Sequence, residues 1–349
     1  MSNDNHVKVL VVDDTAFMRR ALVDILSQDK NIEVVGVAKH GKEALDGIEV
    51  LRPDVITLDI DMPVMDGLTA IKHIMIKNPT PVIMISGLAG HGRVTLEALR
   101  LGAVDFFPKP SGTISLDIHS QAEELNRLVI QASKINPMTI KRVRFSNQRP
   151  LKLNALKDSQ SLGVIIFIVS RGGIGPFMRL LVNLKTGLPV SIICVQDISR
   201  GVLESYSREL NSLVPWDVAL AENDTPLTPG ACLLVSREQI CGIEDLKGMP
   251  KINNAQPANI NELLDQTLFM MGRQCLAVVV GEPDAPYCEG LKKIKDAGAA
   301  VLFFDHNSTG LPCGEIYKHI GAEAVSNEHE LFAKIDAFGR KLFFDAVLL

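Results

Sequence analysis

A chain of 349 residues that is 46% hydrophobic carries enough apolar side chains for two cores of ordinary size. Its net charge of −5 offers no general attraction to nucleic acid. No run approaches the roughly 18–20 uninterrupted apolar residues needed to span a bilayer, and the polar start MSNDNHVK is not a secretory signal, so a cytoplasmic protein without membrane insertion is expected. Cys194, Cys232, Cys241, Cys275, Cys288 and Cys313 show no CxxC spacing and read as reduced core residues.

The first 110 residues alternate strand and helix. VKVLVVD is an apolar, β-branched run of strand length. Asp14 and Thr15 then cap a helix whose apolar face is read as Phe17, Met18, Ala21, Leu22, Ile25 and Leu26. IEVVGVA, DVITLDI, PVIMISG and AVDFFPKP are the next strands, with helices in the segments from Gly41, Asp66, Val94 and Ser120. Five βα units predict a doubly wound parallel α/β sheet, in which polar ligands collect at the carboxyl ends of the strands.

Asp13 and Asp14 close the first of these strands, Asp59 the third, Ser86 the fourth and Lys109 the fifth. Three carboxylates converging on one edge repel unless a cation sits among them, and an open, hydrated set of hard oxygen ligands suits Mg²⁺. A metal and an ammonium neutralise charge on a transferring phosphoryl group, a hydroxyl donates to one of its oxygens, and a carboxylate attacks in line. Asp59 is the expected acceptor. Any one of these residues alone would read as a solvated loop residue, but five of the right types at successive strand ends do not.

VVDD, LDIDMPVMDG, ISG and FFPKP closely resemble the response-regulator receiver domain, over roughly residues 6–130. The resemblance implies a flavodoxin-like (βα)5 fold. It also implies Asp13, Asp14, Asp59 and the main-chain carbonyl of Asp61 as Mg²⁺ ligands, Asp59 as phosphoacceptor, Ser86 as switch hydroxyl and Lys109 as phosphate-binding ammonium. Phe106 falls where such domains carry a rotating aromatic, which would turn a local charge change into a surface change; its alternative is a plain core phenylalanine. A cis Lys109–Pro110 bond is a further implication.

Residues 135–162 are poor in apolar periodicity and basic, with Lys141, Arg142, Arg144, Arg149, Lys152 and Lys157, and read as a solvated linker between a domain of residues 1–134 and one of residues 163–349. LGVIIFIVS, PVSIICVQD, ACLLVS, LAVVVG and AAVLFFD are buried-type strands, with helical segments around PFMRLLVNL, LESYSRELN, INELLDQTLFMMG and EGLKKIKDAG. A second doubly wound, Rossmann-like parallel sheet is expected. Ser170 ends its first strand ahead of Arg171, Gly172 and Gly173, a turn that can expose a hydroxyl and lend backbone N–H groups to an oxyanion.

The order of a receiver, a basic linker, VSRGG, VQD, TPG and DAGA resembles the chemotaxis methylesterase family (CheB), whose members remove methyl groups from receptor glutamates and often deamidate receptor glutamines. That resemblance implies a sensor histidine kinase as phosphoryl donor and a chemoreceptor as partner. The second half departs from the family at its catalytic positions. The family turn GxSTGG is here IVSRGG, which keeps Ser170 but places Ile168 and Arg171 at altered positions. The family histidine follows a glutamine in QHMP; here Gln196 is followed by Asp197, Ile198 and Ser199. The family aspartate aligns with Pro286, with Asp284 nearby, and the family's RPSVD appears as QPANIN from Gln256 to Asn261.

A serine hydroxyl needs a base whose pKa lies near working pH, and a carboxylate at about 4 is too weak. Losing the histidine of a hydrolase triad costs about 10⁶ in rate, or roughly 8–9 kcal/mol. His306 is the best displaced base in the sequence, and Arg171 could instead bind a carboxylate. The expectation is a phosphorylation-controlled regulator whose effector domain acts by binding, with hydrolysis absent or weak. The alternative is an active receptor methylesterase or glutamine deamidase using Ser170. A DNA-binding output is disfavoured by the α/β pattern and the lack of basic character.

Overall fold

The computed structural model describes residues 6–87, 92–109, 117–136, 142–145, 162–170, 172–198, 200–246, 249–254, 259–281, 287–304 and 316–347. They form two units, the first of which ends at Val143.

In the first unit, β1 (Val7–Val12), α1 (Ala16–Leu26), β2 (Ile32–Ala38), α2 (Gly41–Leu51), β3 (Val55–Asp59), α3 (Gly67–Lys77), β4 (Val82–Ser86), α4 (Gly92–Leu101), β5 (Asp105–Pro108) and α5 (Asp117–Ser133) alternate along the chain. The strands pair in parallel in the order β2-β1-β3-β4-β5. Every residue of β3 and β4 is buried, as continuous apolar runs require in a sheet covered on both faces. The chain leaves β1 for β2 on one side and returns to β3 on the other, so the switch point lies between the ends of β1 and β3.

The apolar face expected for α1 is narrower than its sequence suggests. Leu22, Ile25 and Leu26 are buried, but Phe17 is 69% exposed. Phe17 lies about 140° around the helix from Leu22, off the buried stripe. Helices α4 and α5 begin two and three residues ahead of the expected Val94 and Ser120. The segment read as a solvated linker is anchored to the first unit at its start: Ile135 lies in that unit's core and Val143 is buried, its amide donating to the Arg100 carbonyl at 3.2 Å.

The second unit carries β6 (Gly163–Val169), α6 (Ile174–Asn183), β7 (Val190–Gln196), α7 (Arg200–Leu213), β8 (Asp217–Leu220), β9 (Ala231–Ser236), β10 (Gly242–Leu246), β11 (Met249–Asn253), α8 (Ile260–Met271), β12 (Cys275–Val280), α9 (Cys288–Asp296), β13 (Ala300–Phe304), α10 (Ile316–Ile320), β14 (Glu323–Val325) and α11 (Glu328–Val347). Seven strands form a parallel sheet in the order β14-β13-β12-β6-β7-β9-β8, and β10 and β11 make a separate antiparallel hairpin. The five strands legible as apolar runs are its centre. Strands β8 and β14 form its edges, and their four and three residues are too short and too mixed to stand out. From β6 the chain builds outward to one side and returns to β12 on the other, so the second switch point lies between β6 and β12. No described helix is long and apolar enough to cross a membrane.

Candidate functional site

The carboxyl edge of the first sheet gathers the predicted phosphoryl-transfer residues. Asp13 and Asp59 are buried and Asp14 is exposed, and one carboxylate oxygen from each lies within 4.8 Å of the other two. The Lys109 ammonium sits 3.0 Å from Asp13 Oδ2 and 2.8 Å from Asp59 Oδ2. Burial, foremost, pushes the Asp59 carboxyl up, assisted by the Asp13 charge and opposed by Lys109 and the Ile60 amide, which donates to Asp59 Oδ1 at 2.8 Å. Burial opposes the charge on Lys109, but its bonds to Asp59 and Asp13 outweigh this and raise its pKa.

Local structure holds these groups in place. Asp13 Oδ1 accepts from both the amide and the hydroxyl of Thr15, each at 2.8 Å, while Thr15 also caps α1; Arg19 donates to the Asp13 carbonyl at 2.7 Å. Thr15 was legible as a cap but not as an aspartate clamp, and nothing in the sequence marked Arg19. Asp66 caps α3, and the Gly67 amide donates to the Ile60 carbonyl at 2.9 Å. A Cβ on Gly67 would collide with the Asp59 carbonyl, so only glycine lets α3 start this close to the strand end. Asp61 is exposed in the intervening loop. Ser86 is buried at the end of β4, with its hydroxyl 3.3 Å from the Gly87 carbonyl and its own carbonyl accepting from the Lys109 amide at 2.7 Å. Phe106 is half-buried in β5, beside the fully buried Phe107. Three convergent carboxylates offer the hard oxygen donors that a small divalent cation takes, so this set fits Mg²⁺. Pro110 lies outside the described residues, and with it the Lys109–Pro110 bond.

At the second switch point, Ser170 follows β6 and is buried. Its amide and hydroxyl both face the Val280 carbonyl, at 3.0 and 3.3 Å, and its own carbonyl accepts from Gly173 at 2.9 Å. Gly172 has φ 74°, and a Cβ on Gly173 would lie 2.5 Å from the Val280 carbonyl oxygen, so this tight strand-to-helix turn needs both glycines. Asp197 follows β7, and its carboxylate Oδ2 lies 3.9 Å from Arg237 Nη1 at the end of β9. Arg237 is a neighbour that sequence order could not supply, because β8 intervenes in the chain but not in the sheet. Pro286, Asp284, Arg171 and His306 lie outside the described residues.

Two family models match this chain: the response regulator receiver domain over residues 9–119 and the CheB methylesterase over residues 165–313. A protein-glutamate methylesterase/protein-glutamine glutaminase of Thermotoga maritima is 35% identical over 311 residues, covering 86% of this chain and 89% of that protein. The chain belongs to the protein-glutamate methylesterase/protein-glutamine glutaminase family. A Rhodospirillum rubrum relative bearing the same name with the suffix 3 is 33% identical over 95% of this chain and 96% of its own length. Among solved structures, the response regulator domain of Thermotoga maritima CheB is 50% identical over 38% of this chain and 99% of its own, with a TM-score of 0.35. The CheB methylesterase catalytic domain from the same organism is 20% identical over 49% of this chain and 96% of its own, with a TM-score of 0.43. As a CheB-type protein, the chain is a chemotaxis-type response regulator that joins a receiver to a methylesterase-type effector.

Proposed function

We propose that this response regulator is phosphorylated on Asp59 by a sensor histidine kinase in the cytoplasm, and that its effector, from residue 163 onward, signals by binding a chemoreceptor or another signalling protein, with hydrolysis lost or strongly reduced. In the receiver an Asp59 oxygen attacks the phosphorus in line as the bond from phosphorus to the donor's histidine nitrogen breaks. Asp13, Asp14, Asp59 and the Asp61 carbonyl would hold Mg²⁺, which supplies neutralising charge to the phosphoryl oxygens. Lys109 provides a second positive charge from its position 2.8 Å from Asp59, and Ser86 a hydroxyl donor. Movement of Ser86 toward the phosphoryl group, with Phe106 turning inward, would carry the change to the surface.

The observation that carries the effector reading is the aspartate at the end of β7, beside the serine-bearing strand, where the family places histidine. Aspartate has one acidic site and no second ring nitrogen to link a nucleophile to an orienting acid. The Ser170 hydroxyl donates to the Val280 main-chain carbonyl at 3.3 Å. The enzymatic reading is favoured by the retained Ser170 and by relatives named as methylesterase/glutaminase over nearly their whole length.

Methanol release from methylated chemoreceptor decides between them, measured with Mg²⁺ and acetyl phosphate beside Ser170→Ala and Asp197→His variants. Uptake of phosphate on Asp59 with no methanol above the Ser170→Ala background is the expected result. Serine-dependent methanol release by the unaltered protein would overturn the binding reading.

A further inference from the structure

Helix α11 packs on the second sheet near the amino ends of its strands, and the fit is close in two places. At β6, a Cβ on Gly163 would lie 2.5 Å from a Leu342 methyl and 3.4 Å from the Phe338 ring. At β14, the Lys334 ammonium meets Glu323 at 2.7 Å. Between these contacts, over the starts of β12 and β13, a cleft of about 540 Å³ remains. Leu276 and Ala300 stand opposite each other on the two strands and line it from the sheet, and Ala337 and Phe338 line it from α11. Ala300 is exposed although it opens a strand inside the sheet, because Gly298, Ala300 and Ala337 carry too little side chain to fill the space. The volume falls in the range of about 300–1,000 Å³ that small-molecule sites occupy.

Cations rim this apolar space. Arg273, in the turn before β12, donates through Nε to the Ala297 carbonyl at 3.3 Å and so lies close over Gly298, with its remaining N–H donors still to be used. Lys341 follows Lys334 by two turns of α11, on the same face. Among the described residues no carboxylate pairs with Arg273 or Lys341, whereas Glu323 is held by Lys334. Three cations, Arg273, Lys334 and Lys341, thus line the cleft against one anion, Glu323, an excess of two positive charges. We infer that this cleft binds a small organic anion from solution, an apolar ring system carrying one carboxylate. The ring lies on Leu276, Ala300 and Phe338, and the carboxylate reaches Arg273 and Lys341 at the solvent side. Inorganic anions do not suit walls that return no hydrogen bonds for lost hydration, and a neutral apolar molecule leaves the cations without a counter-charge. The cleft lies at the opposite edge of the sheet from Ser170, so its ligand is an effector molecule and not a substrate of the serine turn. By bridging α11 and the strand starts, the bound anion stabilises the effector domain.

The test is equilibrium dialysis of the full chain against 2-naphthoate and against 2-naphthamide, its neutral counterpart of nearly the same shape. The carboxylate should bind with a Kd below about a millimolar, within reach of a ligand of this size in a part-open cleft. The amide should bind about fivefold more weakly, the factor that about 1 kcal/mol of solvent-exposed ion pairing supplies. Raised salt should narrow this preference, and the combined variant Arg273→Gln and Lys341→Gln should bind the two probes alike. Ala300→Phe should fill the cleft and remove binding of both, and Ala337→Trp, at an exposed position on α11, should do the same by a second route; far-UV circular dichroism checks that each variant folds. Equal affinity of the unaltered protein for carboxylate and amide would overturn the inference. So would binding that survives a filling substitution in folded protein, or no retention of 2-naphthoate at several millimolar.

Discussion

Val64 occupies the left-handed region at φ 66° in the loop between Asp59 and α3, with 78% of its surface exposed. A β-branched residue there carries about 1–2 kcal/mol of strain, and exposure means that little packing is lost on replacing it. Val64→Asn should raise the stability of the receiver by about 1 kcal/mol, seen as a higher melting temperature. Asp59 carries a cost of a different kind, since burial raises its pKa and disfavours the ionised form that the proposed phosphorylation requires. That cost is absent below the ordinary carboxylate pKa of about 4 and complete above the raised folded value. In EDTA, Asp59→Asn should therefore melt above the unaltered protein at neutral pH, with the gain shrinking as pH falls toward 4; an equal or lower melting temperature at pH 7 would contradict the burial argument. At this scale much of the receiver site was legible, because Asp13, Asp59, Ser86 and Lys109 each end or directly follow an unmistakable apolar run. The Arg19 contact to the Asp13 carbonyl was not, since a surface-type arginine on a helix has many possible partners.

Among the elements, two helix starts are set by glycines that touch the strand ends bearing the candidate site residues. Gly67 lets α3 approach Asp59, and Gly173 lets α6 approach Val280 and Ser170. Gly67→Ala should destabilise the receiver by about 1–3 kcal/mol through overpacking against backbone that cannot yield easily, and acetyl-phosphate labelling of Asp59 should fall with it. Chemical denaturation and phosphate incorporation measure the two effects, and labelling at the unaltered rate would show that the strand end tolerates the shift. The helix and strand types were legible from periodicity, but the width of the buried stripe on α1 was not. Phe17 is apolar and adjacent to Met18, yet it stands off the stripe that Leu22, Ile25 and Leu26 bury, and its ring is left in solvent. The edge strands β8 and β14 escaped notice because pairing with an existing sheet stabilises segments whose own sequences barely favour a strand.

Across the whole molecule, the described cysteines are confined to the second unit, and four of the five, Cys194, Cys232, Cys241 and Cys275, are buried there. Burial raises the thiols of Cys194 and Cys232 and pushes Cys241 and Cys275 up to about 11. An unfolded chain ionises these thiols near pH 8.5–9 while the folded one holds them neutral, so their contribution to stability is intact below that range and is lost as pH rises toward 11. The effector should melt progressively earlier above pH 9 than a variant with Cys241→Ser and Cys275→Ser, when each is compared with its own value at pH 7. Iodoacetamide at pH 8 should leave these four thiols unmodified in the native protein and label Cys288 faster. The sequence by itself determined that there are two parallel α/β units, the order of most of their elements, and which residues stand at which strand ends. Burial periodicity and caps are local, and a chain of this composition writes them plainly. Only the tertiary structure decided which strand ends are neighbours. Crossover connections and long-range packing set strand order and register, and these bring Asp13 beside Asp59 and align Ser170, Asp197 and Arg237 across three strands that the chain visits far apart.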